Sequence, residues 1–183
     1  KVNCHRLTMP FGHMLPIYQR KFANYDKVLP QLLAKKTTDC VFIDIGSNVG
    51  DTLYSLLPQK HLISHYYAVD GSNFFYQYLL KNVSRLIHTD WISCHNTIIT
   101  ENNEIIIKPN NYGTAKLEPA DGLPTLVQTA SLESFIQENV QDKTNVFLKV
   151  DVDGADVDVL RSGMSFIKEY SPDLFFECDY DPI

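Results

Sequence analysis

Between Val41 and Thr52 the chain reads VFIDIGSNVGDT. Cys40 to Ile45 is a short run rich in β-branched and apolar residues that contains Asp44 near its end. Gly46 to Gly50 then make a turn ahead of a helical stretch from Asp51 to Leu57. Glycines at 46 and 50 let the backbone turn tightly and approach a ligand where a Cβ would stand in the way. A plain strand-to-helix turn would read the same way, so the neighbouring segments decide. Tyr66 to Val69 repeats the strand pattern and runs into Asp70, and Phe74, Phe75, Tyr78, Leu79 and Val83 mark the apolar face of a second helix.

Working outward, Phe22, Tyr25, Val28, Leu29, Leu32 and Leu33 recur at helical spacing. They predict one covering helix over Phe22 to Lys36, bent at Pro30, in an N-terminal region 1–39. Trp91 to Ile99 reads as a third strand and Glu104 to Lys108 as a further extended piece, with Asn110 to Pro124 a loop or short hairpin. Ser131, with Ser134 three places on, has the position of an N-cap opening a helix through Asn139. Asn145 to Val150 is the strongest strand and leads into Asp151. Gly154 and Ala155 start a helix expected to turn Val157, Leu160, Met164 and Ile167 inward, and Asp173 to Glu177 closes as a strand. Strands alternating with helices need crossover connections, so the expectation is one α/β domain over 1–183. Its 40–183 part forms a doubly wound, mostly parallel sheet covered on both faces.

A formal net charge of −6 offers no basic footprint for a phosphate backbone, so nucleic acid is not expected as a partner. Cys4, Cys40, Cys94 and Cys178 lack the close spacing of zinc or redox motifs and are expected to be reduced, mostly buried thiols. No apolar run approaches the roughly 20 residues that span a bilayer, and the amino end carries no secretory pattern. A cytoplasmic protein with no membrane partner is expected. Asn82-Val83-Ser84 fits the glycosylation pattern but falls at a helix end.

In a doubly wound sheet ligands bind beyond the carboxyl ends of the strands, where the strand order reverses. That rule selects Asp44 to Gly50, Asp70 to Asn73 with Gly71 and Ser72, His95 to Thr97 with Asn96, Asp151 to Gly154, and Glu177. Gly46-Ser47-Asn48-Val49-Gly50 supplies only G-x-x-x-G, short of the dinucleotide fingerprint, and no Gly-Lys-Ser/Thr follows for a nucleoside triphosphate. Asp70, about 20 residues beyond the glycine loop, is placed to accept hydrogen bonds from the ribose hydroxyls of an adenosine. Asp44 adds negative charge suited to a cationic ligand and unsuited to phosphates.

Three stretches resemble the FkbM-type methyltransferases. They are VFIDIGSNVGDT at Val41 to Thr52, YAVDGSNFFYQYLLKNV at Tyr67 to Val83, and LKVDVDGADVDVLRSG at Leu148 to Gly163, the last approached by SLESF at Ser131 to Phe135. The resemblance implies a Rossmann-like, class I methyltransferase fold that stops short of its final strand pair. It also implies S-adenosylmethionine as cofactor, and transfer of its methyl to a hydroxyl of a sugar or other small natural product. Asp44, Gly46, Ser47, Asn48, Gly50, Asp70, Gly71, Ser72, His95 and Asn96 are then the expected cofactor residues, with His95 near the adenine. The family usually has Glu where Asp70 and Asp153 stand, so both carboxylates here are one methylene shorter.

Methyl transfer is an in-line displacement that requires alignment and one proton acceptor, for which Asp151 or Asp153 is the expected catalytic group. No metal site is expected. Asp151, Asp153, Asp156 and Asp158 fail the calcium-loop register, and Asp156 and Asp158 suit the first turn of a helix. Lys149 reads equally as a partner for an acid or as a catalytic group. His5, His13, His61, His65 and His88 form no ligand spacing and are expected at the surface. Two rivals stand beside this reading: an NAD-dependent oxidoreductase, and a catalytically silent adenosine-binding or interaction module.

Overall fold

A computed structural model describes residues 2, 4–22, 24–25, 27–101, 105–109, 115–119 and 127–177, with the backbone alone for 105–109 and 115–119. Among them, five parallel strands form the central sheet: β1 (Cys40–Ile45), β2 (Ile63–Val69), β3 (Ile92–His95), β8 (Val146–Val150) and β9 (Asp173–Phe176). Their spatial order is β3-β2-β1-β8-β9, so the direction of winding reverses between β1 and β8. Ile45 pairs with both Val69 and Val150, and Val69 with His95. The strand ends that the sequence singled out therefore lie level along one edge.

The central strands β1 and β8 and most of β2 are buried on both faces, which is why they read as apolar runs and not as alternations, whereas the edge strand β9 is largely exposed. Val41, Ile43 and Ile45 pack with Phe135, Val159 and Phe166 from α5 (Leu132–Asn139), α6 (Asp156–Arg161) and α7 (Met164–Tyr170). Phe42, Tyr66 and Phe147 face Leu33, Leu53 and Leu79 from α2 (Val28–Leu33), α3 (Asp51–Leu56) and α4 (Asn73–Val83). Asp44 shares that second face as the residue two places beyond Phe42.

Several expectations on extent are corrected. The covering helix expected over 22–36 is confined to α2, and a separate helix, α1 (Leu15–Lys21), precedes it and ends at the extended backbone of Phe22. Pro16 opens α1, and Pro30 falls in the first turn of α2, where a missing N–H breaks no bond. Leu33 alone of the predicted apolar face is fully buried, whereas Phe22, Tyr25, Val28 and Leu32 are exposed. The third strand divides at Asn96, beyond which β4 (Thr97–Ile99) leaves the main sheet and pairs in parallel with β7 (Gln128–Ala130). The extended piece near 104–108 and part of the loop beyond it form an antiparallel hairpin, β5 (Ile105–Pro109) with β6 (Ala115–Pro119). Glu104, 110–114 and 120–124 lie outside the described residues.

The helix after Asp153 is interrupted at Ser162 and Gly163. There the start of α5 docks: Leu132 N–H donates to Ser162 Oγ at 3.0 Å, Glu133 N–H to Ser162 O at 3.1 Å, and Phe166 N–H to Glu133 Oε2 at 2.9 Å. A Cβ on Gly163 would lie 2.5 Å from Leu132 Cδ2. The break changes the inward set, so Val159 and Phe166 are buried while Val157 and Met164 are exposed. Ser131 does cap α5, its Oγ accepting the Ser134 N–H at 3.0 Å, and Asp156 and Asp158 do sit in the first turn of α6.

Asn82, of the glycosylation pattern, is fully buried. Its amide donates to Thr8 O and Val49 O, both at 2.8 Å, and ties the N-terminal segment to the glycine loop. Cys40 is buried and Cys94 half-buried, and burial pushes each thiol up to about 11; Cys4 is exposed, against expectation, and Cys178 lies outside the described residues. Among the described residues no helix is long and apolar enough to cross a membrane.

Candidate cofactor and active site

At the level strand ends the glycine loop folds back on its neighbours. Gly46 N–H and Ser47 N–H both donate to Val69 O, at 2.9 and 3.0 Å, and Gly50 N–H donates to Ser47 O at 2.8 Å. Gly46 has φ +82°, and a Cβ built on it would lie 1.9 Å from the backbone oxygen of Asp151. The β1 and β8 ends are so close here that only glycine fits.

Asp70 is buried at the floor of the groove beside this loop, in the company of Gly46, Asn48, Gly71 and Ser72. Its Oδ2 accepts the Asn48 N–H at 2.7 Å and its Oδ1 the Ser72 N–H at 2.8 Å. Burial raises its pKa to about 6, against the opposing pull of those two amides. Each carboxylate oxygen has a second lone pair, so Asp70, which lines the groove, keeps acceptor capacity. Ser72 also caps α4.

The apolar walls of the groove come from Phe75, Val152 and Thr97–Ile99 of β4. Val152 and Thr97 fall within the strand-end stretches that the sequence singled out, whereas Ile98 and Ile99 escaped it, because one continuous strand over 91–99 hides the turn at Asn96 that swings β4 across the groove. His95 and Asn96 are placed elsewhere than expected. The His95 ring packs edge-on against Phe135 at 5.0 Å, on the α5 face, and the Asn96 side chain donates to Asp70 O at 2.8 Å. Neither lines the groove.

Asp44 also differs from its expected place. It is fully buried, with Oδ1 2.9 Å from Lys149 Nζ and Oδ2 accepting from the Tyr66 hydroxyl. Its charge is matched inside the protein, and it lines neither cavity at this edge. Ser47 is likewise buried, donating from Oγ to Asp44 O at 2.7 Å. Lys149, for which the sequence left pairing and catalysis open, is paired. It also lies 3.3 Å from Asp151 Oδ2 and 3.4 Å from Gly46 O. Burial lowers its pKa, but the Asp44 and Asp151 carboxylates outweigh this and hold it above the ordinary lysine value.

Asp151 and Asp153 both line the groove and a second, larger cleft beside it, which places them between the two. The side chain of Asp151 is 47% exposed, so it is accessible while one oxygen faces Lys149. His13 is half-buried, and not a surface residue as expected. Its Nδ1 accepts the Leu15 N–H at 3.1 Å, which leaves the Nε2–H to donate to Asn48 Oδ1 at 3.1 Å. Burial lowers its pKa, in keeping with that neutral form. Among the described residues no cluster of three or more His, Cys, Asp or Glu is arranged to hold a metal ion.

The sheet order, the glycine turn at the winding reversal and the carboxylate at the next strand end define a Rossmann-like α/β fold. The chain belongs to the methyltransferase FkbM domain family, which it matches over residues 44–182. In structure it is similar to the methyltransferase FkbM of Methylobacillus flagellatus, at 19% identity and a TM-score of 0.54 over 75% of this chain and 32% of that one. A protein of the NADB-Rossmann superfamily from Streptococcus agalactiae is less similar, at 17% identity and a TM-score of 0.45 over 79% of this chain and 48% of that one. The M. capricolum TrmK, solved with S-adenosyl-homocysteine, follows at 14% identity and 0.41 over 78% of this chain and 46% of that one. The chain thus spans a third to a half of the length of these proteins. No curated protein matches it in sequence.

Proposed function

We propose that the domain binds S-adenosylmethionine in the groove floored by Asp70 and methylates a hydroxyl oxygen of a sugar or other small natural product. The observation that carries this reading is the Asp70 carboxylate, held by the Asn48 and Ser72 amides beside a turn where Gly46 packs on the Asp151 carbonyl. That arrangement suits an adenosine whose ribose diol donates to a carboxylate while its chain passes close over the loop.

It suits a pyrophosphate poorly. The amides of Gly46, Ser47, Asn48 and Gly50 donate to Val69, Asp70 and Ser47, and Asp151 and Asp153 line the same groove. A dinucleotide would find those donors engaged and carboxylates facing its phosphates, which disfavours the oxidoreductase alternative. The walls from Phe75, Val152 and Ile98–Ile99 offer an apolar bed for a purine.

When bound, S-adenosylmethionine supplies the methyl: its carbon–sulfur bond breaks with the electron pair left on sulfur as the carbon–oxygen bond forms, and the hydroxyl proton must leave. Asp70 holds and orients, and the Gly46–Asn48 backbone admits close approach. Asp151, with Asp153 as the nearest alternative, takes the hydroxyl proton or fixes its direction. Asp151 lies between the two cavities, at the end of the strand adjoining the glycine loop.

Calorimetric titration with S-adenosylhomocysteine and with NAD tests the reading. Charge-assisted hydrogen bonds contribute about 1.5–3 kcal/mol each, so Asp70→Ala is expected to weaken S-adenosylhomocysteine roughly tenfold to several hundredfold. Tighter binding of NAD, or unchanged affinity in the variant, would refute it.

A further inference from the structure

Beside the cofactor groove lies a cleft of about 620 Å³, within the range of small-molecule sites. The two share Gly46, Asn48, Asp151 and Asp153, so a molecule in the cleft reaches the carboxylates assigned to the acceptor hydroxyl. One wall is apolar and aromatic. Tyr18 packs against Phe22 and Tyr25 with ring centroids 6.2 and 5.7 Å away, and Phe176 closes the side formed by β9. Phe22, Tyr25 and Phe176 are 50%, 46% and 42% exposed, so these rings offer substantial face to an occupant.

Among the described residues the charged lining is one-sided: Asp51, Asp151, Asp153 and Glu177 contribute four carboxylates and Lys149 one ammonium. That ammonium lies 2.9 Å from Asp44, whose carboxylate is itself outside the cleft, so it gives little net attraction to an incoming anion. A carboxylate or phosphate on the acceptor would meet like charge in a partly desolvated space. A free sugar would leave the aromatic wall in water.

We propose that this cleft is the acceptor site and that its acceptor is a small molecule with an apolar, ring-bearing body and no anionic group. The proposal rests on the methyltransferase reading and narrows its acceptor class. Binding is measured by ligand-observed NMR with three probes of one body: 4-phenylbutanol, 4-phenylbutylamine and 4-phenylbutyrate, beside glucose. The alcohol and the amine are expected to bind at least tenfold more tightly than the carboxylate or glucose.

Phe22→Ser with Phe176→Ser, both at exposed positions, is expected to weaken the alcohol at least fivefold with the melting temperature and S-adenosylhomocysteine affinity unchanged. Asp153→Asn with Glu177→Gln is expected to narrow the alcohol-to-carboxylate gap, which a merely hydrophobic surface would not do. Carboxylate binding equal to that of the alcohol, or alcohol binding indifferent to both double variants, overturns the assignment. Absence of S-adenosylhomocysteine binding with the probe pattern intact sinks the methyltransferase reading instead, and with it the name of acceptor for the occupant.

Discussion

Replacing Lys149 by Met removes a cation that joins the β1 and β8 ends. In the native protein its Nζ stands 2.9 Å from Asp44 and 3.3 Å from Asp151, with its side chain 4% exposed and that of Asp44 wholly buried. Methionine keeps the bulk of the stem but leaves Asp44 with the Tyr66 hydroxyl alone among these contacts. Breaking a buried pair by removing one partner costs about 3–5 kcal/mol, because an uncompensated charge remains. For a chain of this size that lowers the melting temperature by roughly 6–20 °C.

Denaturant unfolding of the variant beside the native protein at neutral pH, where the stranded carboxylate is charged, should show this gap. Adding Asp44→Asn removes the stranded charge, so the double variant should be more stable than Lys149→Met alone. A gap below about 1 kcal/mol, or two penalties that simply add, would show that the pair is not the tie described.

Asp70, raised by burial to about 6, favours the protonated folded state. Its contribution to stability is present below about pH 4 and lost as pH rises through about 6, a change of about 3 kcal/mol at most, and Asp70→Asn should abolish it in pH-dependent melting. Because a ribose diol donates to the ionised form, S-adenosylhomocysteine affinity should be flat above about pH 7 and weaken up to about tenfold per pH unit below 6, as titration across that range would reveal. Gly46→Ala forces a Cβ against the Asp151 oxygen, so the β1 and β8 ends must part; the expected loss exceeds about 3 kcal/mol in chemical denaturation, and near-native stability would contradict the packing. Asp151→Asn should leave S-adenosylhomocysteine affinity nearly intact while lowering turnover by about 10²–10⁴, read as kcat once an acceptor is in hand. Lost cofactor binding with turnover kept at saturation would move Asp151 into the cofactor site.

The order of strands and helices was legible in the sequence wherever local signals and burial agree. Strand β1, buried on both faces, reads as an apolar run, the glycine loop announces its own turn, and Ser131 caps α5 as its chemistry requires. The rule that ligands gather at strand ends also found the level edge, because register in a parallel sheet carries successive strands to the same height. Tertiary contact decided what periodicity could not. Helix α6 stops at Ser162 because α5 docks there, and β4 leaves the main sheet at Asn96 to wall the groove. Asp44 and Asp70 look alike in the sequence as acids at the ends of adjacent strands. One ends against a lysine 105 residues away and a tyrosine on the next strand; the other ends on two loop amides and lines the groove. The spacing of residues along a strand fixes which face a side chain takes, but which carboxylate is neutralised depends on the cation that the fold brings across from β8.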